Sequence, residues 1–181
     1  PEAQDIRVDG ERVQRPESKV YYLLNKPKGV VCTNHDEEGR LRAIDLINER
    51  SRRIYTIGRL DVDSEGAILL TNDGELAFRV SHPRFGMPKT YLVQVRGRLV
   101  AADLERIEKG VWLADGKVEG FQASIRRVQQ SSTWLRVVLR EGRNREIRRV
   151  FARVGFPVKS LKRVRIGNLD LRGLMPGTWR T

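Results

Sequence analysis

Apolar and polar positions along the chain change period several times, and each change marks an element. Ile6, Val8 and Val13 surround Asp9-Gly10, a two-residue hairpin turn within residues 5–13, and residues 14–18 read as linker. Residues 20–24 are an apolar strand stopped by Asn25-Lys26-Pro27-Lys28-Gly29 and resumed over 30–33. A short helix is expected over 43–48. Residues 55–57 and 67–71 are strand-like and flank Gly58-Arg59-Leu60-Asp61-Val62-Asp63-Ser64-Glu65-Gly66. Asn72 or Asp73 can cap a helix carrying Leu76, Ala77 and Val80, closed by Pro83.

Tyr91, Val93 and Val95 alternate with Leu92, Gln94 and Arg96, which predicts a strand with one mostly apolar face. Residues 103–109 form a helix ended by Gly110. Asp115-Gly116 turns another hairpin, and 121–128 and 133–140 are further strands. Ile147, Val150, Phe151 and Val154 fall at i, i+3, i+4 and i+7, the stripe of an amphipathic helix. On that helical wheel Arg145, Arg149 and Arg153 point away from the stripe. Arg148 lies on its border, where a side chain can be half buried and aimed into a cleft. Gly155 and Pro157 end the helix, and 158–166 reads as a basic strand. Strands outnumber helices and hairpins join many of them, so the fold class is mixed α+β with a largely antiparallel sheet.

The chain's 181 residues make one domain large enough to bury roughly 70% of its unfolded surface. A single cysteine, Cys32, offers no disulfide framework and fits a reducing cytoplasm. No apolar run reaches the length of a membrane span, and no signal-peptide pattern opens the sequence. Charge changes the picture most. The chain carries +12, and ten basic residues between Arg140 and Arg165, against Glu141 and Glu146 alone, account for +8 of it. A solvated helix face would explain some of this excess, but a segment that tracks nucleic-acid phosphates explains it better. A monomer is expected, since no heptad repeat or large apolar edge is evident.

Among candidate chemistry, Asp61, Asp63, Glu65 and Gly66 imitate the start of a calcium loop. Asn72 stands where a bidentate Glu is needed, so an EF-hand is rejected. Asp61 and Asp63 sharing a magnesium ion in a nuclease is more plausible, and the acids can also simply satisfy turn amides. His35 and His82 form no metal pattern; His82 before Pro83 suits a helix stop or a phosphate contact. There is no nucleophile elbow and no glycine-rich phosphate loop. A carboxylate held on a rigid loop beside a basic groove can act as nucleophile or base toward a bound nucleotide, and a nearby arginine would keep it ionised.

Five motifs in order carry a more specific signal: Asn25-Lys26-Pro27-x-Gly29; Gly58-Arg59-Leu60-Asp61 with Ser64-x-Gly66 and Leu69-Leu70-Thr71-x-Asp73-Gly74; Lys89-Thr90-Tyr91; 141–149; and Arg163-x-Arg165-Ile166-Gly167. Over residues 18–181 the chain resembles the RsuA/RluB-type pseudouridine synthases. The resemblance implies the pseudouridine synthase core, a bent, mainly antiparallel sheet with packed helices and an active cleft. It implies an isomerase acting on a uridine of folded ribosomal RNA, requiring neither cofactor nor metal.

In that family the aspartate at Asp61 is the nucleophile that detaches uracil. The tyrosine at Tyr91 stacks on the flipped base and serves as base for the carbon-5 proton. The arginine at Arg148 pairs with the aspartate and the substrate, and that at Arg59 fills the gap left in the RNA stack or holds the extruded nucleotide. Attack on ribose, attack on the uracil ring and a glycal-like intermediate are all compatible with these residues. Lys89, Arg143, Arg145, Arg149, Lys162, Arg163 and Arg165 are the further expected RNA contacts. Asn144-Arg145-Glu146-Ile147-Arg148-Arg149 looks more like the large-subunit enzymes than the small-subunit (16S) ones. The small S4-type RNA-binding domain usual upstream in the family is missing here, and residues 1–17 resemble only a tail and linker beyond it. Two rival readings are a non-catalytic RNA-binding or ribosome-assembly protein and a metal-dependent nuclease.

Overall fold

The structure, a computed structural model, describes residues 7–9, 11–12 and 17–181. Strands β1 (Arg7–Val8) and β2 (Glu11–Arg12) pair antiparallel around Asp9 at φ +51°, as the turn signal predicts. The rest of the expected hairpin and linker lies outside the described residues. The chain then runs through β3 (Tyr21–Lys26), a 3-10 turn (Ala43–Leu46), β4 (Tyr55–Ile57), β5 (Glu65–Thr71) and α1 (Gly74–Ser81). A second 3-10 turn (Pro83–Phe85) leads to β6 (Lys89–Arg96), α2 (Ala101–Glu108), β7 (Val111–Leu113) and β8 (Gly116–Val118). Then follow β9 (Gln122–Val128), β10 (Ser132–Leu139), α3 (Glu146–Arg153), β11 (Val158–Ile166), β12 (Leu169–Asp170) and β13 (Trp179–Arg180).

Nine strands form one sheet in the order β13-β3-β5-β11-β6-β10-β9, with β4 on β5 and β12 on β11. Every pairing in it is antiparallel except β5 with β11. The architecture is the expected α+β one. β5 is apolar at consecutive positions, Ala67 to Leu70, because it is buried on both faces. Ile68 and Leu70 join the larger core, which α2 and α3 close with Ile107, Ile147, Val150 and Phe151. Ala67 and Leu69 meet Val80, Leu76 and Ala77 of α1 in a second cluster. Asp73 caps α1, accepting from the Glu75 and Leu76 amides at 3.1 and 3.2 Å, and His82 ends it. No helix among the described residues is long and apolar enough to cross a membrane.

Two expectations are corrected. β3 does not stop at Leu24; it continues through Asn25 and Lys26, whose buried side chains both donate to backbone carbonyls. Asn25 Nδ2 donates to the Leu174 carbonyl at 2.8 Å, and Lys26 Nζ donates to the Pro27 and Val30 carbonyls at 2.9 and 2.8 Å. Residues 30–33 do not resume the strand. With Gly29 at φ +83° the chain turns out of the sheet, and Val31 only bridges to Arg42.

Candidate active site

The nine-residue segment between β4 and the body of β5 carries Asp61 on a loop fixed from several sides. Leu60 is buried in the larger core and Ser64 is 1% exposed. The Ser64 amide closes a turn on the Asp61 carbonyl at 3.0 Å, and the Gly29 amide donates to the Val62 carbonyl at 2.8 Å. That second bond joins the loop to the turn whose carbonyls hold the fully buried Lys26 ammonium. Burial lowers the Lys26 pKa, against the pull of Cys32, Asp63 and Asp61.

Two arginines meet this loop. Arg145 Nη1 donates to Asp61 Oδ2 at 3.1 Å and to Asp63 Oδ1 at 3.3 Å, and its Nη2 reaches Asp63 Oδ2 at 3.3 Å. Arg148, whose side chain is 13% exposed, donates through Nη2 to the Asp63 carbonyl at 3.2 Å and to Ser64 Oγ at 3.1 Å, and pairs with Asp63 Oδ2 at 3.1 Å. Its buried Nε lies 3.9 Å from Asp61 Oδ2 and has no hydrogen-bond acceptor. Burial of Asp63 works to raise its pKa, yet the Arg145 hydrogen bond and the charges of Arg148 and Arg145 hold it below the ordinary value. Two carboxylates and two guanidinium groups thus form a neutralised cluster. Of its two carboxylates Asp61 is the one that lines the adjoining cleft, with Arg145 beside it.

That cleft has a volume of about 430 Å³; Asp61, Arg145, Tyr91 and Arg163 line it with apolar Leu139 and Ile147. Arg59 and Lys89 also line it, Arg59 being exposed. Tyr91 is 8% exposed on β6. A second cavity, about 510 Å³, adjoins the first across Arg59, Leu60, Asp61 and Arg145. The carboxylate therefore sits between two open volumes.

Several basic residues stand elsewhere than expected. Arg145 does not point away from the α3 stripe. It precedes the helix with a left-handed backbone, φ +46°, so the helical wheel does not apply to it, and its guanidinium turns onto Asp61. Arg148 holds the border position expected, but it braces the loop from behind while Arg145 faces the cleft. Arg149 leaves the stripe but is half-buried, paired with Asp115 at 2.8 Å and with its Nε buried and unbonded. Arg163 is not an exposed contact: it is 3% exposed, and its Nε donates to the Ala67 carbonyl at 2.6 Å. Lys89 is half-buried, donating to the Met87 carbonyl at 3.2 Å; burial and, secondarily, the Arg163 charge lower its pKa. Arg143 is exposed beside the cleft, while Lys162 and Arg165 lie on the opposite side of the sheet. His82 acts as a helix stop, its Nδ1 accepting from the Arg84 amide at 3.2 Å.

Asp63 and Ser64 are the site members least visible in sequence. Asp63 was signalled by adjacency to Asp61, where it reads as a potential metal partner, and Ser64 by its place in the Ser64-x-Gly66 motif, which assigns it no role. Arg145 instead bridges the two carboxylates, and no group of three or more His, Cys, Asp or Glu gathers among the described residues.

Residues 20–153 match the RNA pseudouridylate synthase family. The chain is 41% identical to the ribosomal large subunit pseudouridine synthase B of Bacillus subtilis, over 97% of this chain and 72% of that one. It is 40% identical to the protein of the same name from Pseudomonas aeruginosa, over 92% of this chain and 45% of that one. A crystal structure of a pseudouridylate synthase superposes with a TM-score of 0.79 at 27% identity, covering 93% of this chain and 72% of the other.

Proposed function

The chain belongs to the RNA pseudouridylate synthase family, and from that membership we propose that it isomerises a uridine of large-subunit ribosomal RNA with Asp61 as its nucleophile. The observation that carries this reading is the Asp61 carboxylate at the cleft wall, 3.1 Å from Arg145, with Tyr91 lining the same cavity. The reaction breaks the bond from ribose C1′ to uracil N1 and makes one from C1′ to C5. N1 gains a proton and C5 loses one, so no redox step is involved.

A uridine must leave its stack to reach a wall of this kind, at a cost of a few kcal/mol. Stacking on Tyr91 returns about 1–3 kcal/mol. Arg145, 3.1 Å away, and Arg148, which braces the loop, aim the Asp61 carboxylate at the cleft, so that Asp61 meets the extruded nucleotide as the nucleophile. Tyr91 is the base for the carbon-5 proton, and Arg59, exposed at the cleft edge, takes the place vacated in the RNA stack. Arg143, exposed beside the cleft, carries a phosphate contact at the rim, and Arg149 a second one on α3 beside Asp115. The large-subunit assignment draws on the names of the Bacillus and Pseudomonas relatives and on the 144–149 motif.

The test is tritium release from carbon-5-labelled uridine in 23S and 16S RNA. Wild type is expected to release tritium from 23S RNA, and Asp61→Asn to fall below about a thousandth of that rate while still binding the RNA. Full activity in Asp61→Asn would remove the nucleophile. Binding without release by the wild type would favour a non-catalytic role, and cleaved RNA a nuclease.

A further inference from the structure

Strand alternation divides the basic residues of β11 between two surfaces. Arg163 pairs across the sheet with Tyr91, whereas Lys162 pairs with Leu92 and Arg165 with Thr90. Successive side chains on a strand point to opposite faces, so Lys162 and Arg165 share the side of Leu92, away from Tyr91. Arg136 reaches Leu92 from the other flank. On this side lies a shallow groove of about 590 Å³, walled by Arg126, Arg136, Lys162, Arg165 and Arg172 over a floor that includes Leu92 and Leu171.

One acid, Asp170, lines the groove with these five cations, which leaves +4. It is held by Arg165 at 3.3 Å and Arg172 at 3.0 Å. Arg180 adds a sixth cation beside it, donating to the carbonyls of Asp170 and Arg172 at 2.6 and 3.1 Å. Arg126 and Arg136 are exposed and make no ion pair among the described residues. The lining comes from strands and the loop after β12; no helix contributes to it.

Cations gathered with so little compensation repel one another unless a polyanion shares the surface. Arginine predominates, and its planar fork suits phosphate oxygens. The groove contains no aromatic ring for stacking a base, which fits contact with a backbone read without regard to sequence.

We propose that this groove binds the phosphodiester backbone of a second RNA segment, distinct from the one whose uridine enters the cleft. The inference rests on the reading of the chain as an RNA-modifying enzyme and extends it. The sheet stands between groove and cleft, so a helix lying in one cannot fill the other. The preferred substrate is therefore a branched or folded RNA that reaches both sides, in preference to an isolated stem-loop.

The experiment compares two RNAs: the shortest 23S fragment that still exchanges tritium, and a longer fragment that includes it with its neighbouring helices. Arg126→Glu with Arg136→Glu is expected to bind the short RNA within about twofold of wild type. On the longer RNA it should lose at least about tenfold in affinity near 0.15 M salt. The milder pair, Arg126→Gln with Arg136→Gln, should make the slope of log affinity against log salt shallower by about two. Unchanged melting temperatures establish that the variants fold.

Arg50→Glu with Arg53→Glu changes net charge equally at exposed positions in the segment before β4, and should leave the long-RNA preference intact. Equal losses on both RNAs, equal losses in this control, or no loss on the long RNA would each overturn the proposal; the last would leave an acidic protein as the groove's partner. The two readings fail separately. If the wild type releases no tritium from any fragment, the groove is tested by binding to the full-length 23S RNA, and selective loss there in the Arg126/Arg136 variants still supports it.

Discussion

Arg145 and Arg148 lie three residues apart and treat the same carboxylate differently. Arg148 sits within α3, where the apolar stripe already placed it on the border, and its half-buried position was legible from periodicity. Arg145 was not. A wheel drawn through it assumes a helix that begins earlier than it does, and a non-glycine residue at φ +46° occupies a conformation that costs about 1 kcal/mol or more. That conformation carries its guanidinium to Asp61. The burial of Arg163, expected as an RNA contact, was not legible for a related reason: nothing local signals the Ala67 carbonyl that lets an arginine on a strand be buried. Tyr91 was legible only through its motif. Replacing it with Phe keeps the ring and removes the hydroxyl. Tyr91→Phe is expected to retain RNA affinity within about twofold and to lose at least about a hundredfold in single-turnover tritium release; an unchanged rate would take the proton-abstracting role away from it.

Most elements were visible in the pattern of the chain, and the shortfalls have local causes. The 30–33 segment has strand composition, yet Gly29 turns it off the sheet, and the helix at 43–48 shortens to a 3-10 turn. What pattern could not supply is which strands pair. The parallel contact of β5 and β11 brings Gly66 alongside Arg163. A Cβ on Gly66 would stand 2.1 Å from the Arg163 carbonyl oxygen, and its φ is +114°, so only glycine fits. Gly66→Ala should destabilise the protein by about 3 kcal/mol. For a chain of this size that lowers the melting temperature by about 6–12 °C, which calorimetry would read. A shift under about 2 °C would mean that the strands separate easily there.

Across the whole molecule the charge excess was the most legible property and its distribution over surfaces the least. The +8 segment spans a helix and a strand, and the fold sends parts of it to a carboxylate cluster, a buried carbonyl and the far side of the sheet. Acid stability follows from the remaining carboxylates. Asp73 is lowered from 3.8 to about 2, chiefly by its Lys19 partner and then by the Leu76 amide; Glu49 is lowered from 4.5 to about 2 by Ser51, with Tyr22 and Arg52 adding. Carboxyls depressed in the folded state stabilise it above their ordinary pKa, and that contribution fades as pH falls toward about 2. Melting temperature should therefore drop between about pH 4 and 2. Asp73→Asn with Glu49→Gln should melt lower than wild type at pH 6 and converge with it near pH 2; a constant gap would assign the effect to packing.

The seam between β5 and β11 also governs when the candidate site can first assemble. β3 to β5 lie in the first part of the chain and β6 to β11 in the second. The Arg163 to Ala67 hydrogen bond that crosses the seam spans 96 residues. Closing so long a loop costs entropy before any contact rewards it. Asp61 belongs to the earlier part, and Tyr91, Arg145 and Arg148 to the later one. A ribosome releasing this chain from its N-terminus thus extrudes the carboxylate well before its guanidinium partners, and the cluster waits for the later part to be made.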